Sequence, residues 1–152
     1  VVASPEPLEV IDTHTVRTLL AAGYVVTAAG GGGIPVVRDA DGQLRGVEAV
    51  IDKDLTAAIL ARSLDADVLV IATDVDHAIV GYGTADAQPL GVVTPAQMRE
   101  YAAAGHFASG SMGPKVEAAV RFVESGGHRS VITSLAHIAE AVTGAYGTCI
   151  ES

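Results

Sequence analysis

The chain has 152 residues, the length of one domain, and its 49% hydrophobic and 18% charged residues exclude a disordered chain. Nine lysines and arginines against 18 aspartates and glutamates give a net charge of −9, an acidic balance that argues against a nucleic-acid partner. Mean hydropathy is high at +0.40, yet no run approaches the 18 or so apolar residues of a spanning helix, so neither a membrane partner nor a bilayer anchor is expected.

In chain order, Asp12 is placed to cap a helix reaching Ala22, with Val16, Leu19 and Leu20 facing inward and Gly23 ending it. Residues 24–29 (Tyr-Val-Val-Thr-Ala-Ala) read as a buried strand that runs into four glycines. An Asp-Gly turn at Asp41-Gly42 predicts a hairpin joining 34–37 to 44–50. Asp52 caps a helix over 53–64, and 67–72 (Asp-Val-Leu-Val-Ile-Ala) is the clearest buried strand. Residues 78–80 and 90–93 are expected to pair as an outlying hairpin. Thr94-Pro95 opens a helix to residue 104 with cap and proline in their preferred order. A glycine- and serine-containing loop over 105–113 leads to a helix over 114–124. A strand over 130–133, a helix capped by Ser134 and reaching 142, and a strand over 148–151 complete the chain. Strands alternating with helices predict an α/β fold, layered around a mostly parallel sheet.

Ligands of such sheets gather beyond the carboxyl ends of the strands. The only two lysines, Lys53 and Lys115, both fall at predicted helix N-termini, where the helix dipole disfavours a cation by about 0.3–1 kcal/mol. A bound anion is one reason for that placement; a solvated surface lysine is the plain alternative for either residue alone. Asp52 is accounted for as a cap, which leaves Asp54 free to hold lysine ammonium groups in position. Gly30, Gly31, Gly32 and Gly33 offer unobstructed backbone N–H groups to an anion, or form a bare tight turn. They are not a dinucleotide fingerprint, because the third glycine of that pattern is Pro35 in one register and Val36 in the other. No P-loop occurs, since Ser111 follows Gly110 where lysine is required. Asp74 and Asp76 can bond a ribose or approach a metal, or serve as ordinary loop carboxylates. His14, His77, His106, His128 and His137 lack metal-ligand spacing, so no protein-held metal is expected. Cys149, the single cysteine, permits no internal disulfide and reads as a small core residue; with no secretory signal visible, it fits the cytoplasm.

Four segments carry a resemblance: Gly30-Gly-Gly-Gly-Ile-Pro35, Gly46-Val-Glu-Ala-Val-Ile-Asp-Lys-Asp-Leu55, Thr73-Asp-Val-Asp76 and Gly110-Ser-Met-Gly-Pro-Lys-Val-Glu-Ala-Ala119. In collinear order, from Ser4-Pro-Glu-Pro7 to Gly147-Thr148, the sequence resembles the carbamate kinases of the amino acid kinase family. The resemblance implies a three-layer αβα sandwich, with residues 1–152 as the carboxyl-terminal, nucleotide-binding half and the amino-terminal half absent from this chain. It implies phosphoryl transfer between ATP and carbamate, giving ADP and carbamoyl phosphate, with Mg²⁺ carried on the nucleotide, in a cytoplasmic homodimer. By position, Lys53 matches the lysine that contacts the transferring phosphoryl group, Asp54 the aspartate that organises the lysines, and Lys115 the second phosphate contact. Thr73, Asp74, Val75 and Asp76, with Ser111, Met112, Gly113 and Pro114, fall where the family binds nucleotide; Gly30 to Gly33 fall near the acceptor. The family often has tyrosine where this chain has Ile79, with Tyr82 as a substitute adenine contact. A truncated nucleotide-binding module without catalysis is the alternative, and an oxidoreductase lacks its fingerprint.

Overall fold

The computed structural model describes residues 1–107 and 111–152. At its centre lies a four-stranded sheet built from β3 (Val68–Thr73), β6 (Val92–Val93), β7 (Arg129–Ser134) and β8 (Thr148–Glu151), in the order β3-β7-β8-β6. β3 runs parallel to β7 and β6 parallel to β8, while β7 and β8 are antiparallel, so the sheet is mostly parallel. Two short hairpins flank it: β1 (Val36–Arg38) with β2 (Leu44–Gly46), and β4 (Ile79–Val80) with β5 (Gln88–Pro89).

Side-chain alternation along the strands creates the layers. Leu69, Ile71, Ile132 and Ile150 face one side, where they pack with α2 (Lys53–Ser63), α3 (Pro95–Ala103) and α4 (Met112–Glu124). Val70, Val131 and Cys149 face the other, against Ala141 of the short α5 (Ile138–Val142). α4 is the central helix of the first layer, with Val116, Ala118, Ala119, Val120, Phe122 and Val123 all buried. Burial pushes the Cys149 thiol up to about 11, as suits an inert core residue.

Several helix ends follow sequence rules closely. The Asp52 side chain accepts hydrogen bonds from the backbone N–H groups of Asp54 and Leu55, which starts α2. Thr94 and Gln97 form a full capping box at α3, with Pro95 at its first position. α4 instead begins at Met112, two residues ahead of the predicted start. Pro114 sits inside the first turn, where a missing N–H costs nothing because that group has no intrahelical acceptor. The predicted loop over 105–113 therefore ends at Ser111, and its residues 108–110 lie outside the described residues.

Other expectations are corrected. Residues 24–29 form no strand, and Tyr24 and Val25 are exposed. An apolar run becomes a strand only when a neighbouring strand supplies hydrogen bonds, and no described residue pairs with this one. On α1 (Thr13–Ala21) only Val16 is buried; Leu19 and Leu20 are exposed, and the Asp12 side chain makes no cap bond. Val92 and Val93 join the central sheet rather than the outlying hairpin, which ends at Pro89. Ser134 caps nothing: a 3-10 turn at Leu135–His137 precedes α5. No described helix is long and apolar enough to cross a membrane.

Ion pairs tie the elements together. Arg99 reaches Glu117 at 2.6 Å and Glu124 at 2.7 Å, fastening α3 to α4, and Arg129 bonds Glu151 at 2.9 Å across β7 and β8. Arg99 holds the Glu124 carboxyl below its ordinary range, and Arg129 does the same for Glu151. A carboxylate depressed in the folded state contributes stability above its unfolded pKa of about 4.3, and that contribution is lost as pH falls through the folded value. The melting temperature is therefore expected to hold near neutrality and to fall below about pH 4.5. Arg99→Met should lower the neutral plateau and flatten part of that acid limb; an unchanged limb would contradict the assignment.

Candidate active site

The first turn of α2 and the first two turns of α4 lie side by side, and they bring together three charged side chains distant in sequence. The Lys115 ammonium donates to Asp54 Oδ2 at 2.9 Å, and Lys53 Nζ stands 3.8 Å from the same oxygen. The two amines thus share one carboxylate oxygen, which sets an upper limit on their separation. Their environments differ: the Asp54 and Lys115 side chains are almost wholly buried, at 10% and 11% exposure, while Lys53 is 58% exposed. One amine is fixed and dry, and the other can move toward a ligand. A single carboxylate between two ammonium groups leaves one net positive charge, which attracts an anion.

The glycine run is seated against the start of α2, the helix that carries Lys53 and Asp54. The Thr56 hydroxyl, one turn into α2, lies 3.0 Å from both the Gly32 and the Asp52 carbonyl oxygens and shares its single proton between them. Gly32 has φ +132°, and a Cβ there would lie 2.0 Å from the Ile51 carbonyl oxygen. Only glycine permits this approach. Ala29 also adopts a left-handed conformation, with φ 62°, as the chain enters the run.

Beside the lysines opens a cleft of about 200 Å³. From the sequence-predicted set, Thr73, Asp74, Val75, Tyr82, Ser111, Met112 and Lys115 line it. Gly113 and Pro114 lie in the first turn of α4 outside the lining. Asp76 is also outside it; its carboxylate accepts a hydrogen bond from Tyr146 at 3.1 Å. Lys53 and Asp54 adjoin the cleft through Lys115 rather than lining it. Sequence reasoning missed His77, His106 and Phe107 as cleft residues. Ile79, noted as a departure from the family's tyrosine, lines the cleft together with Tyr82. His106 and Phe107 come from the turn after α3, where no periodicity marks them; the Gly81 N–H, donating to His106 Nδ1 at 3.3 Å, joins the two loops.

The apolar side chains Val75, Ile79, Phe107 and Met112 suit the faces of a flat aromatic base, while Lys115 and the polar Thr73 and Ser111 suit a phosphorylated tail. Among the described residues, Asp74 is the one carboxylate lining the cleft.

The sequence pattern of the amino acid kinase family matches residues 3–134, and the chain belongs to that family. Within it, carbamate kinases are among the similar proteins. Carbamate kinase of Thermococcus kodakarensis is 49% identical over 148 residues, covering 97% of this chain and 47% of that protein. Its counterpart in Staphylococcus haemolyticus is 47% identical over 152 residues, covering 99% and 49%. The solved structure of carbamate kinase from Giardia lamblia bound to AMP-PNP superposes with a TM-score of 0.94 at 41% identity, covering 97% of this chain and 46% of that one. The chain spans about half the length of the curated relatives it matches.

Proposed function

We propose that this chain is the nucleotide-binding half of a carbamate kinase and carries the lysines for reversible phosphoryl transfer between ATP and carbamate. The observation that carries the reading is the convergence of Lys115 and Lys53 on Asp54 beside the cleft. Phosphoryl transfer asks a protein mainly for positioning and for stabilisation of charge spread over the equatorial oxygens. Lys115, locked by Asp54, holds the phosphate tail at a fixed point. Lys53, held more loosely, follows the phosphoryl group as it moves. Asp54 keeps the two cations from driving each other apart when no anion is present. Carbamate is already an anion, so no general base is required. Magnesium, arriving on the nucleotide, would neutralise further phosphate charge, and Asp74, which lines the cleft, would be the carboxylate to face it. The glycine run, seated against the start of α2, provides backbone N–H groups for the acceptor side. Homodimer formation and a cytoplasmic setting belong to the same proposal, and a single buried cysteine agrees with the latter.

A second reading, a nucleotide-binding module that does not catalyse, is favoured by the cleft lining, which among the described residues includes neither Lys53 nor the glycine run. Two measurements on the intact protein that carries these residues separate the readings. ADP at 100 times its Kd should raise stability by about 2.7 kcal/mol, visible as a melting shift, if the nucleotide cleft is functional. ATP formation from ADP and carbamoyl phosphate then separates enzyme from module. The absence of any shift with ADP would contradict both readings.

A further inference from the structure

A second polar cluster lies where β3 and β7 end side by side. Thr73 and Ser134 are register partners there, so the loop over 74–77 and the turn Leu135–His137 leave the sheet together. Tyr146, from the segment leading into β8, bridges them. Its hydroxyl donates to Asp76 at 3.1 Å, and its ring stacks on His137 with centroids 3.8 Å apart and 30° between planes. The His77 ring lies 5.3 Å from it on the cleft side. The neighbouring Ser134 and Tyr146 hydroxyls hold the Asp76 carboxyl below its usual range. Two residues on, the Ala78 N–H donates to Thr148 Oγ1 at 2.9 Å, and that hydroxyl donates to the Leu90 carbonyl at 2.6 Å. The run over 76–78 is therefore tied at both ends to residues 146–148, while His77 within it and the preceding Thr73, Asp74 and Val75 form one wall of the cleft.

We infer that Tyr146 is a positioning residue for the nucleotide: it clamps Asp76 and thereby fixes the cleft wall formed by Asp74, Val75 and His77. The inference rests on the reading of the cleft as a nucleotide site. It assigns Asp76 as an anchor of the loop rather than a ligand of the ribose. Stacking on His137 restricts the phenol to the geometry in which its hydroxyl meets the carboxylate. The loop then needs no ordering when nucleotide arrives, which favours affinity.

The test compares wild type, Tyr146→Phe and Tyr146→Ala in the intact protein that carries these residues. Phenylalanine keeps the stack and loses the hydrogen bond; alanine loses both. The nucleotide KM should rise about three- to tenfold in Tyr146→Phe, as loss of one such bond implies, and further in Tyr146→Ala. The acceptor KM and kcat should stay within about twofold, and the ligand-free melting temperature of Tyr146→Phe within about 2 °C. An unchanged nucleotide KM in both variants overturns the clamp. So does a parallel change in both KM values and kcat, which a purely structural role would give. Wild-type protein that binds no ADP overturns the nucleotide reading itself, and the clamp with it.

Discussion

Lys53→Ala in the intact protein is expected to lower kcat by about 10²–10³, the usual loss when one preorganised donor to a developing charge is removed. Lys53 is more than half exposed, so this variant should melt within about 2 °C of wild type. Lys115→Ala should lose as much activity but behave differently in stability. Its amine is buried against Asp54, and removing it leaves a buried carboxylate with only the more distant Lys53 for company. Breaking such a pair costs about 1–3 kcal/mol even when part of the charge is compensated. The contrast is the informative part: two lysines with one kinetic phenotype and two stability phenotypes. Steady-state kinetics with thermal melts on both variants measures it directly. Near-normal turnover in either variant would remove that lysine from the mechanism.

Gly32→Ala is expected to be among the most damaging small substitutions in the chain. The new methyl would sit 2.0 Å from a backbone carbonyl oxygen, and backbone cannot rotate away as a flexible side chain can. The positive φ adds about 1–3 kcal/mol of strain for any residue with a Cβ. Together these predict a loss of about 3–5 kcal/mol, or a local rearrangement that separates the glycine run from α2. Either outcome withdraws the run from Thr56 and Lys53, so activity should fall with stability. Gly31→Ala is the control for stability, since its Cβ meets open space. If both variants melt like wild type, the close packing of Gly32 on Ile51 is wrong.

Local chemistry made much of this fold legible in the sequence. Asp52, Thr94 and Gln97 act within a few residues of themselves, and they start α2 and α3 where capping rules place them. The β3 run is apolar and β-branched, and it forms the strand its composition demands. The placement of Lys53 and Lys115 at helix starts pointed to an anion site, and Asp54 was already the candidate to hold them. What the sequence could not supply was their distance, because Lys115 and Asp54 lie 61 residues apart and meet only through the packing of α4 on α2. Residues 24–29 failed as a strand for a related reason, since strand formation depends on a neighbour and apolar composition alone does not provide one. The cleft walls contributed by His77, His106 and Phe107 come from turns, where side-chain direction follows tertiary contacts rather than a repeat. Asp76 shows a further limit: its hydroxyl partner Tyr146 arrives from 70 residues away.

The central claim is that both lysine amines act on one phosphoryl group in flight. A crystal structure of the intact protein with ADP and a planar metal-fluoride mimic of that group tests it most directly. Both Nζ atoms are predicted within about 3.2 Å of the mimic, with Asp54 still bonded to Lys115. A mimic contacted by neither amine, or a Lys53 pointing into solvent while the mimic is bound, would contradict the account.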